Sequence, residues 1–217
     1  MKVYDLSAQC SVLNQYMKEL RSVEIQGDSM RFRHNIARIA HVMAYEISKN
    51  LSYQVEDVTT PLGVAPINIA TDKLVLGTIL RAGLPFHQGF LDVFDHAENA
   101  FVSAYRKYSD SVNFDIHIEY IASPDLNDKV LILSDPMLAT GGSMELAYKA
   151  LLTKGCPAHT HLVAIIASRQ AVEYIQSHLA DENVTLWVAA IDEVLNDHSY
   201  IVPGLGDAGD LAFGEKL

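Results

Sequence analysis

Val130-Leu131-Ile132-Leu133-Ser134-Asp135-Pro136-Met137-Leu138-Ala139-Thr140-Gly141-Gly142-Ser143 is the stretch on which the reading of this chain turns. Its first four residues are aliphatic, and a short apolar run bounded by polar residues reads as a buried parallel strand. The run stops at Asp135, passes through Pro136, and reaches Thr140-Gly141-Gly142-Ser143 before a helical pattern begins. Glycines let the backbone come close to a ligand, and a helix start supplies unpaired N–H groups and a positive dipole end. Thr140 and Ser143 add hydroxyl donors. The guest that suits this chemistry is a phosphate monoester. Asp135, at the carboxyl end of its strand, is placed to face a ribose hydroxyl pair or a magnesium ion. Glycine turns between strand and helix also form with no ligand at all, so the strand, the terminal acid and the helix onset must be weighed together.

Working outward, Lys73 to Leu80 is a second buried-strand run and ends in Arg81-Ala82-Gly83. Ala100 to Tyr105 is a third, ending in Arg106-Lys107. An arginine just past a strand end lies on the rim where α/β proteins bind ligands. Leu84 to Val93 reads as a helix with Pro85 tolerated in its first turn. Met144 to Lys154 is a helix stopped by Gly155, Thr160 to Ala167 a strand, Gln170 to Leu179 a helix and Val184 to Ile191 a strand. This alternation implies parallel strands joined by right-handed crossovers.

Nearer the start, Val12 to Leu20 has a short helical pattern and no evident chemistry. Asp28 can cap a helix in which Phe32, Ile36, Ile39, Ala40, Met43 and Ile47 recur at spacings of three and four. That face covers a sheet or a partner subunit, and Arg31, Arg33 and Arg38 read as a solvated basic face. Val55 to Ile69 turns to strand and loop, punctuated by Pro61, Gly63 and Pro66. Phe114 to Tyr120 alternates like a strand. His159 and His161 alternate along one strand, and without a third ligand they read as satisfied or solvent-facing histidines rather than a metal pair.

The chain has 217 residues, which makes one domain over 1–217 the expectation and allows a substantial core. A formal charge of −11 excludes a nucleic-acid surface, which needs clustered Lys and Arg. No apolar run approaches a membrane span and no secretory leader is visible, so the expected home is the cytoplasm. Cys10 and Cys156 lie far apart without ligand-like spacing and read as reduced and structural.

The segment Asp135 to Ser143 resembles the phosphoribosyl pyrophosphate loop of the uracil phosphoribosyltransferase family. Ile79–Gly83 (I-L-R-A-G), Tyr105-Arg106 and Tyr200–Asp210 (Y-I-V-P-G-L-G-D-A-G-D) match the same family in order and at plausible spacing. The resemblance implies the type I phosphoribosyltransferase fold, α/β with a central mostly parallel sheet flanked by helices and a flexible β-arm, Tyr108 to Ser123, over the site. It implies transfer of a phosphoribosyl group to uracil, giving UMP and pyrophosphate. Asp135, Pro136, Met137, Leu138, Ala139, Thr140, Gly141, Gly142 and Ser143 would bind phosphoribosyl pyrophosphate, with Arg81 and Arg106 on its diphosphate and Asp207 nearby. Ile201, Gly206 and Ala208 would bind uracil by main-chain groups, supported by Tyr200 and Asp207, while His198 takes a structural role. Asp135 and Asp207 are the candidate catalytic carboxylates; no histidine or cysteine stands in a motif position as base for uracil N1, which leaves Asp207, directly or through water, as the candidate. Magnesium (Mg2+) would be held mainly by the substrate pyrophosphate and water rather than by protein ligands. A GTP effector and a homodimer or higher homo-oligomer are further expectations.

This chain departs from the family in having Pro85 for a usual glycine and Lys107-Tyr108-Ser109 for the usual acids. Ser134 in place of a second acid agrees with the uracil branch. Two alternatives stay open: a phosphoribosyltransferase for another base, and a non-catalytic regulatory nucleotide sensor.

Overall fold

Residues apolar at consecutive positions must be covered on both sides, and that requirement builds the sheet. The computed structural model describes residues 1–108, 114–180 and 183–216, with the side chains of 104–117 outside the description. Seven strands run in the order β1 (Lys2–Asp5), β10 (Val184–Asp192), β9 (His159–Ser168), β7 (Val130–Ser134), β4 (Leu74–Leu80), β5 (Glu98–Tyr108) and β6 (Phe114–Ala122). A two-residue strand, β8 (Met137–Leu138), adds to β9. All pairings are parallel except β5 with β6.

Period-two alternation sorts the strand residues between two cores. Leu131 and Leu133 join Val75, Leu162, Ala164, Leu186 and Val188 on one face, under α4 (Gly142–Leu151) and α5 (Arg169–His178). Ile132 joins Leu76, Val163, Ile165 and Trp187 on the other. That face is covered by α1 (Leu13–Arg21), α2 (Ser29–Ser48), α3 (Gly83–Leu91) and α6 (Ala208–Phe213). Every residue of Val130–Ser134 is therefore buried, which is why the run shows no polar alternation. Asp28 caps α2 by accepting from the Arg31 N–H, and Phe32, Ile36, Ile39, Ala40, Met43 and Ile47 are buried as their spacing predicts.

The structure sharpens several expectations. Val55 to Ile69 is strand on either side of a turn at 61–62. It is an antiparallel hairpin of β2 (Tyr53–Thr60) and β3 (Gly63–Ala70), in register from Tyr53–Ala70 to Thr60–Gly63 and separate from the main sheet. Arg31 and Arg38 are exposed, as a solvated face requires, while Arg33 is half-buried, and all three are also engaged by neighbours. Arg31 binds Glu19 through two nitrogens at 2.9 and 2.8 Å, Arg33 donates to the Ala212 carbonyl at 2.6 Å, and Arg38 reaches Asn35 and the Tyr16 ring. Cys10 and Cys156 are free as expected but exposed, so neither packs a core. His161 accepts from the Trp187 indole at 3.1 Å, and His159 shares a hydrogen bond with Thr185 at 2.9 Å. Burial, reinforced by His159, holds the His161 imidazole neutral with a pKa of about 3. These are satisfied histidines. No described helix is long and apolar enough to cross a membrane.

Glu19 tests the α1–α2 junction. Hydrogen bonds from Arg31 and from Asn35, the latter at 2.7 Å, draw its pKa down to about 2. A carboxylate that ionises more readily folded than unfolded adds stability above the unfolded value of about 4.3, lost as pH falls through the folded one. Glu19→Gln should therefore be less stable than the parent at pH 7. The difference in urea midpoint should shrink as the pH is lowered from about 4.3 towards 2.

Candidate active site

Parallel strands all end on the same edge, and this edge gathers the predicted residues. Thr78 is paired with Ser134, so Arg81 and Asp135 leave neighbouring strand ends. The loop after β7 is bound to β9 along its length. The Asp135 N–H donates to Val163 O at 3.0 Å, and Pro136 O accepts from the N–H groups of Ile165 and Ile166 at 3.2 and 3.0 Å. Met137 and Leu138 pair with Ile166 and Ala167, and the Ser168 hydroxyl donates to Ala139 O at 2.6 Å. An Asp135 carboxylate oxygen accepts from the Met137 N–H at 3.1 Å, bending the chain back at the strand end. A short, pinned loop of this kind presents its groups in a single arrangement.

Gly141 follows Thr140 with φ of +90°, and no side chain caps the helix that starts at Gly142. A Cβ on Gly141 would sit 2.7 Å from Tyr174 Cδ1, so the turn needs glycine for its backbone angle and for the ring beneath it. Glu145 in the first turn of α4 would repel an anion at this helix start. Its carboxylate is instead engaged by Lys149 at 2.6 Å and by the Tyr174 hydroxyl. Thr140 and Ser143 thus flank an uncapped, dipole-positive terminus, the arrangement that suits a phosphate.

The C-terminal stretch is ordered, not loose. β11 (Val194–Leu195) pairs with β12 (Ile201–Val202), and Asn196 Oδ1 accepts from the N–H groups of His198 and Tyr200 at 3.0 and 2.9 Å. Tyr200 is exposed, Ile201 and Ala208 are buried, and Gly206 takes a φ of +90°. Asp207 caps α6 through the N–H groups of Gly209 and Asp210, and its other oxygen pairs with Lys216 at 2.9 Å. Burial pushes the Asp207 pKa up, but Lys216 and the two amides outweigh it and leave the carboxyl below its usual range. So engaged, Asp207 holds the start of α6 and ties it to Lys216.

Arg81 lies at the mouth of this region. It donates to Asp210 at 2.7 Å and to Gly214 O at 3.3 Å, joining the end of β4 to the C-terminal stretch. Its side chain is 41% exposed, so these contacts are made at the surface. Arg106 stands on β5 opposite Ile116, and the reading of its side chain lies outside the description. The tip of the predicted arm, 109–113, likewise lies outside the described residues, while its two strands pair as β5 and β6. Sequence reasoning missed Arg21, Asp192 and Tyr174. Only Asp192 carried a signal, since it ends an apolar strand run just as Asp135 follows one.

A parallel sheet with a glycine turn at a helix start and an ordered glycine-rich loop on one rim fits the phosphoribosyltransferase class. Within it, the model of the "Uracil phosphoribosyltransferase" family matches residues 7–215, and the chain belongs to that family. A uracil phosphoribosyltransferase of Porphyromonas gingivalis is 67% identical over 217 residues, 100% of both chains. One of Methanothermobacter thermautotrophicus is 41% identical over 200 residues, 91% of this chain and 90% of the relative. The solved AQ2163 protein of Aquifex aeolicus superposes with a TM-score of 0.86 at 29% identity, covering 98% of each chain.

Gly141→Ala tests the turn. A left-handed alanine costs about 1–2 kcal/mol by itself, and the Tyr174 contact adds to it. Affinity for phosphoribosyl pyrophosphate, read by calorimetry, should fall at least tenfold. Adding Tyr174→Ala should restore only the part owed to the ring.

Proposed function

We propose that this chain transfers the 5-phosphoribosyl group of phosphoribosyl pyrophosphate to N1 of uracil, giving UMP and pyrophosphate. The observation that carries the reading is that the Asp135–Ser143 segment follows β7 and the Tyr200–Asp210 loop follows β10, at the same end of one parallel sheet. The P. gingivalis relative, matched end to end, supports it.

In this reading Thr140 to Ser143 hold the 5-phosphate by backbone amides and hydroxyls. Pro136, Met137, Leu138 and Ala139 carry the loop between that anchor and Asp135, which holds the ribose hydroxyls. Arg81 and Arg106 meet the diphosphate as its bond to the anomeric carbon breaks and negative charge builds on the leaving oxygen. The new bond forms from uracil N1, whose proton passes to Asp207, directly or through water. Main-chain groups of Ile201, Gly206 and Ala208 orient the base, with Tyr200 at the rim and Asp207 fixing the helix start behind them.

Magnesium is part of the proposal. Among the described residues no three His, Cys, Asp or Glu side chains converge. A hard ion can be held by substrate phosphates, water and one carboxylate, and Asp135 supplies an oxygen of that kind. When bound, the ion would neutralise charge on the pyrophosphate. The β5–β6 arm would close over the site and keep water from the activated ribose.

The reading extends to assembly and place. Val55, Leu62, Val64, Ile67 and Ile69 leave the β2–β3 hairpin with an exposed apolar surface that suits a homodimer contact. Free, exposed cysteines suit a reducing cytoplasm.

The test is pyrophosphate release from phosphoribosyl pyrophosphate with magnesium and a panel of bases. Uracil offers an N3–H donor between two carbonyls, while cytosine reverses two of the three positions on that edge. Fixed main-chain groups should reject cytosine by about 10⁴ in kcat/KM. Comparable rates for the two would refute the reading of Tyr200–Asp210, and strong transfer to a purine would refute the activity. Asp135→Asn should retain the fold and lose at least tenfold in turnover. Arg81→Ala should weaken binding of phosphoribosyl pyrophosphate by about 1.5–3 kcal/mol and that of UMP far less.

A further inference from the structure

Arg21 ends α1 and Asp192 ends β10, and the two side chains meet in a parallel pair of hydrogen bonds. Nη1 donates to Oδ2 and Nη2 to Oδ1, each at 2.8 Å. The same two side chains also hold both polar backbone groups of one residue. Asp192 Oδ2 accepts from the Gly204 N–H at 2.8 Å, and Arg21 Nη1 donates to Gly204 O at 3.1 Å. Gln26 closes the arrangement from behind, donating to Arg21 O at 3.1 Å. Burial works against ionisation of Asp192, yet Arg21 and the Gly204 amide hold its carboxyl below the usual range.

Gly204 is the tightest point of the loop between Ile201 and Gly206. Its φ is +60°, and a Cβ there would lie 2.0 Å from Ile201 O. A turn that close has little tolerance, and its orientation sets where the flanking peptide groups point. We propose that the Arg21–Asp192 pair is a positioning device for base recognition, clamping Gly204 so that main-chain groups of Ile201, Gly206 and Ala208 face the uracil edge. The inference rests on the reading of Tyr200–Asp210 as the base site. Asp192 is nearly buried, its side chain 8% exposed, and a pair with such a member is a weak source of net stability. What this pair does supply is geometry, since a planar fork on a carboxylate fixes both partners.

The experiment compares Asp192→Asn, Arg21→Met and Arg21→Lys with the parent in uracil-dependent pyrophosphate release, with thermal melting as a folding control. KM for uracil should rise about tenfold or more in Asp192→Asn and Arg21→Met, the scale of a small misplacement of recognition groups. In both variants kcat at saturating uracil and KM for phosphoribosyl pyrophosphate should stay within about twofold of the parent. Arg21→Lys, which keeps the charge but not the fork, should fall between Arg21→Met and the parent. Folded variants with an unchanged uracil KM overturn the inference and leave the proposed activity standing. So do parallel losses in both substrates. Failure of all three variants to fold overturns it too, because the pair would then be a stability element. A parent that releases no pyrophosphate with uracil overturns the activity and the inference together.

Discussion

Two amides of β9, those of Ile165 and Ile166, converge on the carbonyl of Pro136, and much of the site depends on that junction. Proline has no N–H to donate, so at this bend the loop can offer only its carbonyl. Two donors fix it, and Met137 and Leu138 continue as a short strand against the same neighbour. The chain arrives at Thr140 already constrained on the Asp135 side. Gly141 then completes the turn over Tyr174, and α4 begins. A site whose peptide groups are held before the substrate arrives loses less entropy on binding it.

The same economy answers a problem of charge. A chain with a formal charge of −11 is proposed to bind a polyanion. Net charge acts at long range and is screened over about 8 Å at physiological salt, whereas recognition happens at contact. Within that distance the proposal needs Arg81 just past the end of β4, Arg106 on the neighbouring strand β5, a dipole-positive helix start, and a magnesium ion carried by the substrate. Glu145, the one acid in the first turn of α4, has its charge met by Lys149 and Tyr174.

The C-terminal stretch is held by ion pairs from three directions. Arg21 reaches Asp192 and Gly204, Arg81 reaches Asp210, and Lys216 reaches Asp207. Arg33 adds a fourth tie at Ala212. Glycine-rich composition would leave such a segment loose, yet each of these contacts removes a way for it to move. Strand-end arginine, C-terminal loop and helix cap are thereby tied together.

Local pattern determined much of this on its own. Consecutive apolar residues at Val130–Leu133 and Leu74–Leu80, the three-and-four spacing in α2, and glycine after acid at a strand end each report an interaction between near neighbours in the chain. Such interactions are written in the residues themselves, and with them came the alternation of strand and helix, Asp135 and the Thr140–Ser143 turn. The hairpin of β2 and β3 was half legible, because Pro61 and Gly63 marked the turn while Pro66 argued against a strand around it. Arg31 and Arg38 do face solvent as read, but the partners of Arg31, Arg33 and Arg38, namely Glu19, Ala212 and Asn35, are chosen by helix packing and are not legible in the chain. Arg21 and Asp192, 171 residues apart, carry no mark of each other. Only the folded sheet brings the end of β10 against the end of α1, and a guanidinium finds its carboxylate through space, not along the chain.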